Sequence, residues 1–339
     1  MKFEFNTKYY LIPSICTSLA IVSIMIYFYL KLDSDNYSIK FRLKYHTDSV
    51  SCLVALKNGD LASGSNDKSI IIWDLSKKEV NYKLLNHTSG ITSLTQLTNG
   101  DLVSGSADGQ IIKWKFDTKE SRYFMELILR EHDENIIWSL LSLDDGHKLA
   151  SSDNDRTIRI WDFDTKSHYR LLKLNDSAFS LALLDINHMV CGLENGDIAV
   201  WNFRGNKPII AYKLQNQHMS TVISLVLLEN GDLVSGSHDK TIIVWDMSKK
   251  MLKYKLEDHD SSLVGLALLS NNDLVSASQN GRILVWNLMS ENASIKLEIN
   301  SQSMIRSLTV LDDDEIVTGI DDNSLIVWIK NRLYWGSFF

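Results

Sequence analysis

Seven tryptophans at nearly even spacing constrain the fold of this 339-residue chain more than any other feature. They recur every 40 to 47 residues and are Trp73, Trp114, Trp161, Trp201, Trp245, Trp286 and Trp328. A fixed period of this length indicates a repeat architecture, in which each unit packs mainly against its neighbours. Repetition therefore overrides the two domains that the length alone would suggest.

Each repeat consists of short β-rich runs separated by polar turns. In the second repeat, Ile91 to Leu97 and Ile111 to Trp114 are two such runs, and Asn99-Gly100-Asp101 is a hairpin signal between strands. A fourth run follows each tryptophan, as in Tyr82 to Leu85. Four strands at a period of about 40–45 residues predict an all-β fold, a seven-bladed β-propeller of four-stranded blades. It would occupy residues 38–330.

The dipeptides at the tryptophans resemble those of the WD-repeat family. Trp73-Asp74, Trp161-Asp162 and Trp245-Asp246 match fully, and Trp201-Asn202 and Trp286-Asn287 are near matches. The other two repeats keep only the tryptophan. The resemblance covers about residues 38 to 330, and it implies a fold rather than a particular function.

This resemblance implies a buried hydrogen-bonded tetrad of Asp, His, Ser or Thr, and Trp in each well-formed blade. The complete candidate sets are His46, Ser63, Asp67 and Trp73; His87, Ser104, Asp108 and Trp114; His132, Ser151, Asp155 and Trp161; and His218, Ser235, Asp239 and Trp245. An unsatisfied member of such a network costs ~1–3 kcal/mol, so we expect the tetrads to be structural.

Three repeats have incomplete tetrads. The sixth keeps His259, Ser276 and Trp286 but has Asn280 in place of Asp. The fourth lacks three members, and its corresponding residues are Leu174, Cys191 and Asn195. The seventh has Ser301 at the His position, and it keeps Thr318, Asp322 and Trp328. We expect the fourth and seventh blades to be held mainly by apolar packing.

The N-terminal region poses a different solvent problem. Tyr9 to Leu30 is a run of 22 residues without a charge. A helix of that length, at ~1.5 Å per residue, would cross a ~30 Å hydrocarbon core. We therefore predict a transmembrane helix over residues 9–30 after a short tail, 1–8. The alternative is a cleaved signal peptide, but the run is longer than the usual ~7–15 apolar residues.

The flanks of this run bear on topology and on ring closure. Basic residues after the run slightly outnumber those before it, which favours a single-pass membrane protein with a cytoplasmic propeller. The last repeat lacks a clear outer strand, because only the short tail 331–339 follows it. We expect residues 38–45 to supply that strand and so remove the open edge.

Several function classes find no support in the sequence. The net charge is −7 and no basic patch is present, which argues against nucleic-acid binding. One histidine per repeat at a fixed offset places these side chains around a ring, whereas the ligands of one metal must converge. Phosphate-binding, nucleophile-elbow and zinc-helix motifs are missing. We therefore expect no enzyme activity, no cofactor, no metal and no small-molecule substrate.

One set of positions has the character of a binding surface. They are the second residues of the seven first strands: Ser51, Thr92, Trp138, Phe179, Ile223, Val264 and Arg306. The last five are large, and Trp and Arg are favoured interface anchors. We predict that Trp138, Phe179, Ile223, Val264 and Arg306 contact a protein or peptide partner. The alternative is that these side chains pack between blades.

Together these features predict a membrane-anchored protein-interaction scaffold that binds a partner on one face of a propeller. Two other interpretations stay open. One is an adaptor that selects substrates for a ubiquitin ligase, and the other is a lumenal or secreted propeller.

Overall fold

Every regular element that the structure describes is a β-strand. The structure is a computed structural model, and it describes residues 37–130, 132, 135–143, 146–165, 167–203, 208–288 and 293–331. Across these residues 28 strands follow one another and pair into seven four-stranded sheets. This confirms the prediction of an all-β, seven-bladed propeller with four strands per blade.

Blades 1 to 4 follow in chain order, and each runs from its innermost to its outermost strand. Blade 1 contains β2 (Val50–Ala55), β3 (Leu61–Ser65), β4 (Ser69–Asp74) and β5 (Glu79–Leu85). Blade 2 contains β6 (Ile91–Gln96), β7 (Leu102–Ser106), β8 (Ile111–Asp117) and β9 (Arg122–Leu129). Blade 3 contains β10 (Ile137–Leu143), β11 (Lys148–Asp153), β12 (Thr157–Asp162) and β13 (Ser167–Lys173). Blade 4 contains β14 (Ala178–Leu183), β15 (His188–Leu193), β16 (Ile198–Asn202) and β17 (Ile209–Leu214).

The remaining three blades complete the ring. Blade 5 contains β18 (Val222–Leu227), β19 (Leu233–Ser237), β20 (Ile242–Asp246) and β21 (Met251–Leu256). Blade 6 contains β22 (Leu263–Leu268), β23 (Leu274–Ser278), β24 (Arg282–Asn287) and β25 (Ser294–Asn300). Blade 7 contains β26 (Ile305–Val310), β27 (Ile316–Ile320) and β28 (Ser324–Lys330), and its fourth strand is β1 (Tyr37–Lys44). Each innermost strand contacts those of the two adjacent blades, and β26 contacts β2, so the ring is closed.

In most blades, the turn after the innermost strand contains a residue with a positive φ. Gly231, with φ 83°, supplies it in blade 5, where its N–H donates to Leu228 O at 2.9 Å. Glycine tolerates this conformation because it has no Cβ. In blade 7 the acidic run 312–315 makes the same turn, and Asp314, with φ 64°, donates its N–H to Leu311 O at 3.0 Å.

The N-terminal strand closes the ring by the same ion pair that other blades use. Lys253 on the outermost strand of blade 5 pairs with Asp232 in the turn after the innermost strand, at 2.7 Å. Lys296 and Asp273 form the equivalent pair in blade 6, also at 2.7 Å. In blade 7, Lys40 of β1 pairs with the buried Glu315. The strand therefore lies where the sequence analysis placed residues 38–45, as the outermost strand of the last blade.

The hydrophobic core lies between adjacent blades. One cluster joins Val50, Leu61 and Trp73 of blade 1 to Val317 and Val327 of blade 7. The seven repeated tryptophans are all buried, with at most 5% of their surface exposed. Each blade therefore buries its apolar side chains mainly against the two adjacent blades. Apolar burial typically contributes about 25 cal/mol per Å², and this stabilisation is distributed around the ring.

The predicted N-terminal helix falls outside this description. Residues 9–30, the preceding tail 1–8 and the C-terminal residues 332–339 lie outside the described residues. Within the described part, no helix is long and apolar enough to span a bilayer.

Candidate interaction face

The predicted tetrads begin at one end of the blades and extend along the second and third strands into the blade. We call this end the upper face; it carries the loops that lead into each innermost strand and the turns between the second and third strands. In blade 5, His218 Nδ1 lies 3.0 Å from Asp239 Oδ2, and His218 Nε2 lies 2.8 Å from Ser235 Oγ. Trp245 Nε1 donates to the same Ser235 Oγ at 2.8 Å. This network links the loop before β18 to β19, to β20 and to the turn between them.

Blades 1 and 2 contain the same chain of contacts. His46 lies 2.8 Å from both Asp67 and Ser63, and Trp73 Nε1 donates to Ser63 Oγ at 2.7 Å. In blade 2 the corresponding residues are His87, Asp108, Ser104 and Trp114, with a longer His–Asp distance of 3.4 Å.

Blade 3 departs from the sequence prediction, because Asp153 and not Asp155 is the acidic member of its tetrad. His132 Nδ1 lies 2.6 Å from Asp153 Oδ2, and His132 Nε2 lies 2.6 Å from Ser151 Oγ, which accepts from Trp161 Nε1 at 2.7 Å. Asp153 is 1% exposed, whereas Asp155 is exposed.

The reason for this difference lies at the end of the second strand. Blade 5 has Ser237 at the position of Asp153, and its hydroxyl accepts from Asp239 N at 3.0 Å. In blade 3 a carboxylate occupies that position, accepts from Asp155 N at 3.0 Å, and also reaches the histidine. The sequence contains a clue, because Asp153 lies two positions before Asp155. Alignment of the repeats does not show which of the two carboxylates reaches the histidine.

In blade 6, a relay of neutral groups replaces the missing acid. His259 Nδ1 lies 3.0 Å from Ser278 Oγ, which donates to Asn280 Oδ1 at 2.8 Å. Asn280 Nδ2 in turn donates to Asp260 Oδ1 at 2.7 Å. Ser276 still links the histidine, at 2.7 Å, to Trp286, at 2.8 Å.

Blades 4 and 7 both lack tetrad members, but they differ in how the tryptophan is hydrogen-bonded. In blade 4, Trp201 Nε1 is buried and has no hydrogen-bond partner among the described residues, because Cys191 stands where the other blades have Ser or Thr. In blade 7, Trp328 Nε1 donates to Thr318 Oγ1 at 3.0 Å. Asp322 of that blade accepts from Arg42 of the closing strand, also at 3.0 Å.

The electrostatics of the tetrads fit a structural role. Burial opposes ionisation of Asp67, but hydrogen bonds from Ser69, Thr47 N and His46 outweigh it and lower the pKa of Asp67 to about 2. Burial, with a contribution from Arg282, lowers the pKa of His259 to about 4. This acid is thus ionised and this histidine neutral at pH 7. Among the described residues, no group of three His, Cys, Asp or Glu side chains could hold a metal.

A β-bulge lies in every innermost strand, and it falls on the positions predicted as a binding surface. The pairing of β10 with β11 skips one residue between Ile137 and Ser139, which leaves Trp138 unpaired. The same skip occurs in the other six blades, and the unpaired residues there are Ser51, Thr92, Phe179, Ile223, Val264 and Arg306. A bulge redirects the side chain of its extra residue, so these seven form a ring at the upper face.

In blades 1 and 2 the bulge side chains fasten adjacent blades together. Ser51 Oγ donates to Ile91 O of blade 2, and Thr92 Oγ1 donates to Ile137 O of blade 3, each at 2.5 Å. Their hydroxyls are therefore engaged within the fold.

In blades 3, 4, 5 and 7, the residue that follows the bulge residue makes the hydrogen bond to the next blade. Ser180 Oγ donates to Val222 O at 2.9 Å, and Ser307 Oγ donates to Val50 O at 3.0 Å. Ser139 and Ser224 instead accept from backbone N–H groups of the next blade. Blade 6 has Gly265 at this position. The bulge residue of these five blades is thus released from the inter-blade hydrogen bond.

The five released side chains differ in their surroundings. The rings of Trp138 and Phe179 stack across blades 3 and 4, with centroids 4.5 Å apart and an interplanar angle of 25°. Ile223 packs partly against the core between blades 5 and 6. Arg306 is exposed, and its Nε donates to Asp321 Oδ1 at 2.8 Å. Inter-blade packing and exposure thus coexist at these positions.

Comparisons with known proteins agree with the repeat pattern. The family model described as WD domain, G-beta repeat matches residues 38–74, 78–115, 125–162, 211–246 and 250–287, together more than half of the chain. The unmatched stretches contain most of blade 4 and most of blade 7, whose tetrads are incomplete.

Three relatives share parts of the chain. Restriction of telomere capping protein 1 of Clavispora lusitaniae is 45% identical over 60 residues, which are 17% of this chain and 5% of that protein. An uncharacterized WD repeat-containing protein of Schizosaccharomyces pombe is 28% identical over 63% of this chain and 58% of its own length. F-box/WD repeat-containing protein 9 of Bos taurus is 24% identical over 62% of this chain and 38% of its own length. The chain thus spans less than two thirds of the length of each.

Proposed function

The chain belongs to the WD-repeat family, and we propose that it is a non-enzymatic scaffold that binds a protein or peptide partner on the upper face of its propeller. Trp138, Phe179, Ile223, Val264 and Arg306 would contact the partner. WD-repeat propellers are in general protein-interaction platforms, and a fold of this kind places function in a surface site.

One observation carries this proposal: five consecutive bulge residues are released from the hydrogen bond that fastens blades 1 and 2. Ser51 and Thr92 are small and engaged, whereas the following five are large and lie beside a serine or glycine. Large aromatic, aliphatic and arginine side chains on one side of a ring are the composition of a binding hot spot. The large side chains of blades 3 to 7 would then be available to a partner, whereas the small, hydrogen-bonded residues of blades 1 and 2 would not.

The test compares partner capture by the full chain and by matched variants. Trp138→Ala and Arg306→Glu are expected to reduce capture at least about tenfold. Phe124→Ala and Arg122→Glu on the outermost strand of blade 2 are the matched controls, since Phe124 is 45% exposed there. Melting temperatures are measured in parallel. If Trp138→Ala lowers stability but the folded fraction still binds, these side chains are packing residues and the proposal is wrong.

We also propose that residues 9–30 anchor the chain in a membrane with the propeller on the cytoplasmic side. The support is the uncharged run of 22 residues and its basic flanks. Carbonate extraction should leave the intact chain in the membrane pellet, and protease added to sealed vesicles should digest the propeller. A mature N-terminus near residues 28–36, or a protected propeller, would instead indicate a lumenal or secreted protein.

A second candidate function is that of a substrate-selecting adaptor in a ubiquitin-ligase complex. It is favoured by the similarity to F-box/WD repeat-containing protein 9, which covers 62% of this chain. The same face would then hold the substrate. Co-purification of ubiquitin-ligase subunits with the full chain is the discriminating measurement, and their absence from a preparation that retains the partner argues for the simple scaffold.

A further inference from the structure

The charge of the upper face can be followed from the bulge residues and their neighbours in the adjoining turn. In blade 3, Trp138 Nε1 lies 3.4 Å from Asn154 Oδ1, and Asn154 is the first residue of the turn between the second and third strands. In blade 7, Arg306 contacts Asp321, which occupies the same turn position. Each of these two bulge residues therefore has a turn residue of its own blade beside it.

The same register places Glu194 beside Phe179 in blade 4. Ala178 pairs with Leu193, Phe179 is the unpaired residue after Ala178, and Glu194 directly follows Leu193. Glu194 N donates to Ser177 O at 2.9 Å, which fixes the turn against the start of β14. The side chain of Glu194 is exposed, and no described residue forms an ion pair with it.

Glu194 is the one uncompensated charge among the bulge residues and the first residues of the turns between the second and third strands. Arg306 and Asp321 neutralise each other. Burial lowers the pKa of His238, the turn residue of blade 5, so this imidazole is neutral at pH 7. The turn residues of the other blades are Asn66, Ala107, Asn154 and Gln279. The ring formed by these two sets of residues thus carries a net negative charge, located next to the aromatic stack.

We propose that Trp138, Phe179 and Glu194 form a subsite for an arginine side chain of the bound partner; this rests on the function proposed above. A guanidinium is flat, lies favourably on an aromatic ring, and offers two parallel N–H donors to one carboxylate. The half-buried rings would exclude water from one side of the cation, which strengthens its attraction to Glu194. Asn154 Oδ1 supplies a further acceptor at the edge of the stack.

Four pools of decapeptides test this subsite with the full 339-residue chain. The pools share random flanking positions and differ in one fixed central residue: arginine, lysine, citrulline or glutamate. We expect the wild-type chain to bind the arginine pool about tenfold more tightly than the citrulline pool, which has the same shape without the charge. The ratio should fall as salt is raised.

Glu194→Gln removes only the charge of the subsite and should bring the arginine-to-citrulline ratio close to one. Glu229→Gln is the matched control, since Glu229 is also exposed but lies in the turn after β18, on the opposite face. Trp138→Leu should likewise lower the ratio, and its melting temperature shows whether the ring itself is intact.

The outcomes separate the two proposals. If peptides bind and Trp138→Leu abolishes their binding, but arginine and citrulline bind equally, the arginine subsite is wrong and the interaction face stands. A preference for glutamate, or a ratio that Glu194→Gln leaves unchanged, also overturns the subsite. If no pool binds the wild-type chain better than a Trp138→Leu, Ile223→Ala double variant, both proposals are wrong.

Discussion

Replacing Cys191 by serine should give a partner to the one repeated tryptophan whose indole N–H is buried with none in the described part of the chain. In blades 1, 2, 3 and 5 the equivalent Nε1 to Oγ distances are 2.7, 2.9, 2.7 and 2.8 Å. Cys191 has the same register as those serines, because it pairs with Ala199, two residues before Trp201. A hydroxyl at position 191 should therefore lie within hydrogen-bonding distance of Trp201 Nε1.

The magnitude follows from two opposing terms. An unsatisfied buried donor costs ~1–3 kcal/mol, and the new hydrogen bond recovers most of that cost. Burying a hydroxyl in place of a thiol opposes this gain. The equivalent serine of blade 5 shows that a backbone acceptor is available, because Ser235 Oγ donates to Ile243 O at 3.5 Å. We expect Cys191→Ser to stabilise the chain by about 1 kcal/mol. A serine at a fully buried cysteine would ordinarily destabilise.

A double-mutant cycle with Trp201→Phe isolates the new bond, because phenylalanine keeps much of the packing and lacks the donor. Urea denaturation of the four proteins gives the free energies, and hydrogen exchange in β15 and β16 locates the effect in blade 4. We expect Cys191→Ser to stabilise the chain that retains Trp201 and to destabilise the Trp201→Phe variant, a coupling of about 1–2 kcal/mol. Equal effects in both backgrounds would refute the reasoning.

Three further predictions follow from the tetrads and the closing strand. Asp153→Ala should destabilise the chain by about 1–3 kcal/mol, and Asp155→Ala by less than about 0.5 kcal/mol, in chemical denaturation. His259 must be neutral in the fold and its pKa is lowered to about 4, so its contribution is present above pH 6.5 and is lost as the pH falls towards 4. At pH 5 this loss amounts to about 2 kcal/mol relative to pH 7, and His259→Gln should reduce the pH dependence by that much. Removing residues 1–46 should lower the melting temperature by several degrees, while removing residues 1–31 should not.

Each of these has a result that would count against it. Greater damage from Asp155→Ala than from Asp153→Ala would restore the original tetrad assignment. For the pH experiment, His147→Gln is the control because His147 is exposed, and an equal change in slope from both variants would show that His259 is not the cause. Equal stability of the two truncated chains would contradict closure by β1.

The sequence predicted the repeating parts of this molecule and was weaker where one repeat deviates from the rest. The tryptophan period and the hairpin turns sufficed for seven four-stranded blades, because each blade repeats the same local signals. The acid of blade 3 was misassigned because Asp153 and Asp155 are both suitable, and only strand register decides which carboxylate reaches His132. The β-bulges have no clear signature in the local sequence either, yet they explain why the ring of bulge residues lies at the upper face.

The charge of the face depended on contacts that the sequence could not supply. Arg306 alone suggests an acid-binding site, but its partner Asp321 is 15 residues away in the chain and cancels it. Glu194 has no such partner among the described residues, and its place beside Phe179 follows from the pairing of β14 with β15. Long-range pairing therefore reverses the ligand charge that Arg306 alone would suggest, while the predicted positions themselves remain a proposal.

The most direct test of the interaction face is site-specific photocrosslinking of the full chain in cells. A benzoylphenylalanine at position 264 on the upper face is compared with one at position 124 on the outermost strand of blade 2. The proposed function predicts a discrete adduct from position 264 that is missing from position 124 and is suppressed by Trp138→Ala in a chain of unchanged melting temperature. Adducts from position 124 alone, or adducts from position 264 that Trp138→Ala leaves unchanged, would contradict it.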